Sequence, residues 1–150
     1  MKPEFYVAYG SNMNIGQMAR RCPAAKVVGH LLLKGHQLMF YGSEHNAVAT
    51  IEPCSDGKVP VTIWRITPED EASLDRYEGY PYLYRKEYMI ISVDGKSAYA
   101  MVYVMNTKDC SYGYPSQSYY DTILAGYESA GFHPMLLHKA LERTMMKIIF

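Results

Sequence analysis

The order in which strand-like and helix-like segments follow each other is the feature that most limits how this chain can fold. Apolar, β-branched and aromatic residues predict strands at 4–9, 27–41, 47–52, 59–66, 84–93 and 99–104. Helical patterns occupy 14–21, 67–78, 116–130 and 134–149. Most strands follow one another directly, whereas a doubly wound parallel sheet needs a helix between consecutive strands. The order predicts an α+β fold with a largely antiparallel sheet or barrel.

Residues with fixed backbone preferences mark the ends of two helices. Thr67, followed by Pro68 and two acids, is typical of a helix start, and Gly79 ends that helix. Ser116 or Ser118 is expected to cap the next helix, which reaches Ala130. The last helix is amphipathic, and its apolar side is predicted to hold Leu136, Leu137, Ala140, Leu141 and Met145.

Glycines divide the strand-like part of the chain. Asp94–Gly95 predicts a hairpin turn between the strands that flank it. Asp56–Gly57 is interpreted in the same way, as a turn between two separate strands. Gly35 interrupts a long strand and predicts a bulge there.

Length and charge limit the classes of function. A chain of 150 residues suits one domain spanning 1–150. The 15 basic and 15 acidic residues cancel, so the chain lacks the charge of a general nucleic-acid binder. No apolar run approaches the roughly 20 residues of a membrane span, and the N-terminus shows no signal peptide. We expect a cytoplasmic protein with no nucleic-acid or membrane partner.

The potential metal ligands show no metal-binding spacing. The three cysteines (Cys22, Cys54 and Cys110) are far apart and form no CxxC pair. The five histidines lack the spacing of a zinc site. No phosphate-binding glycine motif is present. The sequence therefore predicts no metal and no cofactor.

The segment from Tyr9 to Asn14 (YGSNMN) is the first candidate site. A strand leads into a glycine turn, and a helix follows. Such a junction presents free backbone N–H groups beside the positive end of a helix, which suits a carboxylate or phosphate. The alternative is an ordinary strand-to-helix turn capped by Asn12 or Asn14.

Glu78 is the second candidate, in the last turn of the helix that Gly79 ends. Leu74 lies one turn earlier, so a buried Leu74 would turn Glu78 toward the same side. Negative charge is disfavoured at a helix C-terminus, and Asp75 adds repulsion. A carboxylate in such a place is a candidate general acid or base. The alternative is a Glu78 that forms an ion pair with Arg85.

Tyrosines are unusually frequent in this chain, with 15 in all. Four of them stand close to the second candidate in the sequence and are expected to exclude water from it: Tyr77, Tyr80, Tyr82 and Tyr84. A second group stands in the loop before the third helix: Tyr112, Tyr114, Tyr119 and Tyr120. That loop is either a lid over a pocket or a packed surface loop.

The two main motifs together resemble those of the γ-glutamylcyclotransferase (AIG2-like) family. The resemblance consists of Tyr9-Gly10-Ser11-Asn12 after an N-terminal strand and of LDxxEG at 74–79. It implies a small mixed, mostly antiparallel, barrel-like sheet with helices packed around it. It also implies a reaction in which the α-amine of a γ-glutamyl amide attacks its own γ-carbonyl and releases 5-oxoproline.

The resemblance assigns roles to individual residues. Glu78 corresponds to the acid/base carboxylate of the family. Tyr9, Gly10, Ser11, Asn12 and Met13 correspond to the loop whose backbone amides hold the substrate, and Tyr119 is similar to a tyrosine that lines the pocket. The form YGSN, rather than YGTL, favours γ-glutamyl amino acids over γ-glutamylamines.

Two other functions stay open at this point. A non-catalytic module would bind a carboxylate-bearing metabolite in the same pocket. An enzyme for γ-glutamylamines, or one that removes a γ-glutamyl protecting group in a biosynthetic pathway, would share the motifs. In each case the partner is a small molecule, and the protein is expected to be a monomer or a homodimer.

Overall fold

A computed structural model describes residues 4–150 of the chain. In these described residues, five strands make up one sheet: β1 (Phe5–Ala8), β2 (Lys26–Tyr41), β3 (Val48–Arg65), β4 (Tyr84–Val93) and β5 (Lys96–Met105). The same part of the chain forms four α-helices: α1 (Ile15–Arg21), α2 (Pro68–Glu78), α3 (Gln117–Ala130) and α4 (Met135–Ile149). A short 3-10 helix (Ser11–Met13) links β1 to α1. Within residues 4–150, no helix is long and apolar enough to span a membrane.

The strands lie in the order β2-β3-β1-β5-β4. β1 runs parallel to β5, and the other neighbouring pairs are antiparallel. The predicted α+β fold with a mixed, mostly antiparallel sheet is thus confirmed. The sheet is not closed into a barrel, because β2 and β4 remain its two edges in the described part of the chain. β1 is only four residues long, so β3 and β5 extend beyond it and border the cavity described below.

The predicted turn at Asp56–Gly57 is wrong. The segments 47–52 and 59–66 belong to one strand, β3, whose two halves both pair with β2. The register jumps where Lys34 faces Lys58 and His36 faces Pro53, so the extra residues of β3 bulge opposite Gly35. A Cβ on Gly57 would clash with the carbonyl oxygen of His36. The glycine is therefore required by close backbone approach and not by a chain reversal.

The predicted ends of α2 are confirmed. The Thr67 side chain accepts a hydrogen bond from the Asp70 amide, and the Asp70 carboxylate accepts one from the Thr67 amide. Gly79 follows the last helical residue with φ of 66°, a left-handed conformation that favours glycine. These two ends fix where Glu78 stands.

The residues that α4 buries differ in part from the predicted apolar side. Leu137 and Ala140 are buried as expected, but Leu136 is exposed. Thr144 is buried in the same stripe, where its hydroxyl accepts a hydrogen bond from the Phe40 amide and donates one to the Ala140 carbonyl. A hydroxyl with both bonds made is tolerated in a core, which a count of apolar residues does not anticipate.

Tyr127 gives a stability prediction in α3. Its side chain is fully buried, and its hydroxyl has no hydrogen-bond partner among the described residues. Because an unpaired buried hydroxyl costs about 1–3 kcal/mol, we expect Tyr127→Phe to raise the free energy of unfolding by about 1 kcal/mol. Urea denaturation measures this change. A loss of stability would contradict the prediction and indicate a bonded hydroxyl.

Candidate active site

The two candidate motifs meet at one cavity of about 180 Å³. The loop after β1 contributes Tyr9, Gly10, Ser11 and Asn12, and the end of α2 contributes Glu78. Its further lining residues are Tyr6, Val48, Ala49, Tyr77, Leu83, Tyr84, Tyr103 and Tyr119. Of the predicted site residues, only Met13 does not line it.

Glu78 is directed into this cavity by the helix that carries it. Leu74, one turn earlier, is fully buried, so the same side of α2 faces the interior. Glu78 itself is half-buried. Burial raises the pKa of its carboxyl from 4.5 to about 7, while the positive charge of Arg21 acts in the opposite direction. Glu78 is therefore a carboxyl that can exchange a proton near neutral pH.

The alternative ion pair between Glu78 and Arg85 is not formed. Arg85 pairs instead with Glu87, at 2.7 Å between Nη2 and Oε2. Among the described residues, Glu78 takes part in no salt bridge. The expected repulsion from Asp75 is also offset, because Lys86 Nζ lies 2.9 Å from the Asp75 carboxylate. Burial, rather than a neighbouring carboxylate, perturbs Glu78.

The loop at 10–13 divides into a part that faces the cavity and a part that packs in the core. Within the described chain, the backbone amides of Ser11 and Asn12 donate to no protein acceptor, and both residues border the cavity. Met13 is fully buried, and its amide donates to the Gly10 carbonyl at 3.0 Å. The Met13 amide is therefore engaged within the loop, and Met13 does not line the cavity. Asn14 caps α1, as one alternative proposed, so the loop is both a capped turn and a cavity wall.

Tyrosine side chains form most of the remaining wall. Tyr119 reaches the cavity from α3, and its hydroxyl accepts a hydrogen bond from the Ala49 amide at 3.0 Å. The hydroxyl of Tyr9 donates to the Tyr103 carbonyl at 2.6 Å. Of the four tyrosines near Glu78, Tyr77 and Tyr84 line the cavity, whereas Tyr80 and Tyr82 do not.

The tyrosine loop before α3 is not a lid over this cavity. Tyr112 packs against Tyr41 with ring centroids 4.5 Å apart. Tyr114 and Tyr120 border a separate surface depression beside α4. In this group only Tyr119 lines the cavity of Glu78.

Three polar side chains at or beside the cavity were not predicted from the sequence: Tyr6, Tyr103 and Arg21. Tyr6 and Tyr103 lie on the buried strands β1 and β5, where no alternation shows which side chains face a cavity. Arg21 ends α1 and lies beside Asn12 and Tyr77. In the sequence, Arg21 stands out only as a basic residue in the last turn of a predicted helix, and this pattern is too common to indicate a site.

The cavity has the groups for proton transfer and anion binding. Among the described residues that line it, Glu78 is the only carboxylate, and the backbone amides of Ser11 and Asn12 donate to no protein acceptor. Within residues 4–150, no three His, Cys, Asp or Glu side chains could hold a metal together.

A family model described as gamma-glutamyl cyclotransferase, AIG2-like, matches residues 6–121. The chain belongs to this family. The match begins in β1 and includes both motifs that meet at the cavity. No curated protein matches the chain significantly.

Solved structures share the fold. A structure named "Gamma-glutamyl cyclotransferase" superposes with a TM-score of 0.80 at 24% identity, covering 93% of this chain and 86% of its own. YkqA from Bacillus subtilis gives a TM-score of 0.74 at 22% identity, over 97% of this chain and 55% of its own. An AIG2-like protein from Mus musculus gives 0.56 at 16% identity, over 79% and 90%. At these identities the likeness concerns the fold.

Proposed function

We propose that this family member is an active γ-glutamylcyclotransferase-type enzyme, which releases 5-oxoproline from a γ-glutamyl amino acid or γ-glutamyl amine. One observation carries the proposal: the carboxyl of Glu78, with a pKa raised to about 7, shares a cavity with the loop at 10–12. Glu78 is the general base and then the general acid.

The reaction needs no nucleophile from the protein. The α-amine nitrogen of the substrate attacks its own γ-carbonyl carbon, and the carbonyl π electrons move to oxygen. Glu78 takes the proton that the amine loses. As the carbonyl re-forms, the bond to the departing nitrogen breaks, and Glu78 gives that nitrogen the proton. Holding tethered reactants in a near-attack pose can contribute about 7–11 kcal/mol.

The raised pKa of Glu78 makes the first proton transfer easier. An ordinary glutamate and an α-amine differ by roughly 3.5 pKa units, or about 5 kcal/mol against transfer. With Glu78 at about 7, the difference from an amine near 8 falls to roughly one unit, or about 1.4 kcal/mol. Glu78 can thus be an effective base and still return the proton.

The loop amides are suited to the substrate's α-carboxylate. The backbone amides of Ser11 and Asn12 have no protein acceptor in the described chain. Backbone N–H groups stabilise an anion more strongly in a partly buried cavity than in open solvent. The hydroxyls of Ser11 and Tyr77 lie 3.1 Å apart and join this loop to the end of α2. That bond helps to hold the proposed anion site at a fixed position relative to Glu78.

Incubation with γ-glutamyl dipeptides, glutathione and γ-glutamyl-lysine tests this function, with mass-spectrometric detection of 5-oxoproline. Release from the dipeptides or from glutathione supports the amino-acid branch. Release from γ-glutamyl-lysine alone would assign the γ-glutamylamine alternative, which includes a deprotecting enzyme. Binding of these compounds with no product would support the non-catalytic module and contradict the enzyme.

The pH dependence follows from the raised pKa of Glu78. Because the carboxylate is the reactive form, the contribution of Glu78 to kcat/KM is expected to rise about tenfold per pH unit and to level off above about pH 7, whereas the α-amine of the substrate titrates separately near pH 8. Initial rates between pH 4 and 9 measure this limb, with the fold followed by circular dichroism. A limb centred near pH 4.5 would show that an ordinary carboxyl carries the proton.

A further inference from the structure

The tyrosine hydroxyls around Glu78 differ in whether their protons have a hydrogen-bond acceptor in the protein. Tyr84 donates its proton to the Ala49 carbonyl at 2.7 Å, and Tyr103 donates to the Asp75 carboxylate at 2.6 Å. The proton of Tyr9 is also committed to a carbonyl. Tyr6 and Tyr119 are different, because their hydroxyl oxygens accept hydrogen bonds: Tyr6 from Asn12 Nδ2 at 3.0 Å, and Tyr119 from the Ala49 amide at 3.0 Å.

The direction of that bond is set by Arg21. A guanidinium can only donate, and Arg21 Nη1 donates to the side-chain oxygen of Asn12. The amide of Asn12 is therefore fixed with its oxygen toward Arg21 and its NH₂ group toward Tyr6. The other amide orientation would place two donors against each other. Asn12 is buried, so water does not substitute for either partner.

The proton of Tyr6 consequently points away from Asn12. Tyr6 is only 4% exposed, it lines the cavity of Glu78, and no acceptor for its proton exists among the described residues. A buried hydroxyl with an unused proton is costly unless a ligand accepts it. Burial also raises the pKa of Tyr6 well above 10.0, so the proton is retained.

Arg21 is held in place by two further contacts. Its Nη2 donates to the Gln17 side chain at 2.7 Å, and its guanidinium carbon lies 3.4 Å from the centre of the Tyr77 ring. Tyr77 precedes Glu78 in α2. Arg21 thus joins the end of α1, the loop and the end of α2 in one arrangement.

We propose that Arg21 is a positioning residue that, through Asn12, presents the hydroxyl proton of Tyr6 to an oxygen atom of the bound ligand. Resting on the proposed function, that oxygen is the γ-carbonyl oxygen of the substrate. It becomes negatively charged when the amine nitrogen attacks, and it returns to a carbonyl when the second nitrogen leaves. Tyr6 donates a hydrogen bond throughout and keeps its proton.

The hydrogen bonds from Arg21 to Asn12 and from Asn12 to Tyr6 are called the relay below. A double-mutant cycle on the full chain tests it. Removing an oxyanion donor costs about 10²–10³ in kcat, so Tyr6→Phe is expected to lower kcat about 10²-fold with little change in KM. Arg21→Met should lower kcat about tenfold or more, and it should add little once Tyr6→Phe is present. Arg21→Lys is the second variant, should Arg21→Met fail to fold.

Two matched variants control for general damage. Arg20→Met removes the exposed neighbouring arginine of the same helix, and Tyr127→Phe removes a buried hydroxyl outside the cavity. Neither is expected to change kcat by more than about twofold. Independent, additive effects of Tyr6→Phe and Arg21→Met would overturn the relay.

Side-chain amide exchange separates the relay from the proposed reaction. In nitrogen-15-labelled protein, the NH₂ protons of Asn12 should exchange slowly with solvent and much faster in Arg21→Met. Unchanged exchange would overturn the relay even in an active enzyme. Absence of 5-oxoproline from the unmodified protein would refute the cyclotransferase function, and the exchange result would still decide the relay.

Discussion

Replacing Glu78 by glutamine is expected to lower the rate of 5-oxoproline release by at least about 10³-fold. Glutamine keeps the size of the side chain and can neither accept the amine proton nor deliver it to the departing nitrogen. Because the loop amides and the tyrosine wall are unchanged, substrate binding should persist. Rates by mass spectrometry and affinity by calorimetry measure the two effects separately.

Stability provides a second readout for the same variant. Between pH 4.5 and about 7 the folded protein holds a proton on Glu78 that the unfolded chain releases. The contribution of Glu78 to the free energy of unfolding therefore decreases as the pH rises through this range. Glu78→Gln should therefore unfold at the same or higher denaturant concentration than the unmodified protein at pH 8. Glu69→Gln, an exposed acid in the first turn of α2, is the matched control. Near-normal turnover by Glu78→Gln would refute the role of this residue.

Gly126→Ala is expected to damage both stability and activity. A Cβ at this position of α3 would lie 2.8 Å from the backbone carbonyl carbon of Met13 and 3.0 Å from the Asn14 nitrogen. Because Met13 ends the loop at 10–13 and Asn14 follows it directly, either α3 or this loop must move. We expect a net loss of about 1–2 kcal/mol, since overpacking exceeds the gain in helix propensity.

The displacement should also reach the site. Since a shift of about 1 Å in a positioning group can cost about 10²-fold, we expect kcat/KM of Gly126→Ala to fall between about 10-fold and 10²-fold. Gly29→Ala is the control, because a Cβ there meets no atom within 4 Å. Full activity with unchanged stability in Gly126→Ala would contradict the close packing of α3 on this loop.

Local sequence signals predicted the parts of the fold that local physics determines. Thr67 and Gly79 mark the ends of α2 because a capping side chain and a left-handed residue act within one turn. Asp56–Gly57 predicted a hairpin turn and lies in a bulge instead, because bulges and hairpin turns use the same residue types. Only pairing with β2, a contact between distant parts of the chain, distinguishes the two.

The candidate site divides in the same way. The position of Glu78 follows from the spacing to Leu74 on one helix, so the sequence predicts it directly. Arg21 and Tyr6 come from different elements and meet only through Asn12. The orientation of that amide depends on which donors surround it in three dimensions. For the same reason, the sequence suggested Arg85 as the partner of Glu78, whereas Arg21 supplies the nearby charge.

The pKa of Glu78 in the folded protein is the most direct test of the central claim. Carbon-13 NMR of glutamate-labelled protein follows the side-chain carboxyl carbons during a pH titration, and the Glu78→Gln variant assigns the relevant signal. A carboxyl shielded from water in the cavity should titrate with a midpoint of about 7. A midpoint near the ordinary 4.5 would mean that Glu78 is solvated and would contradict its proposed role in proton transfer.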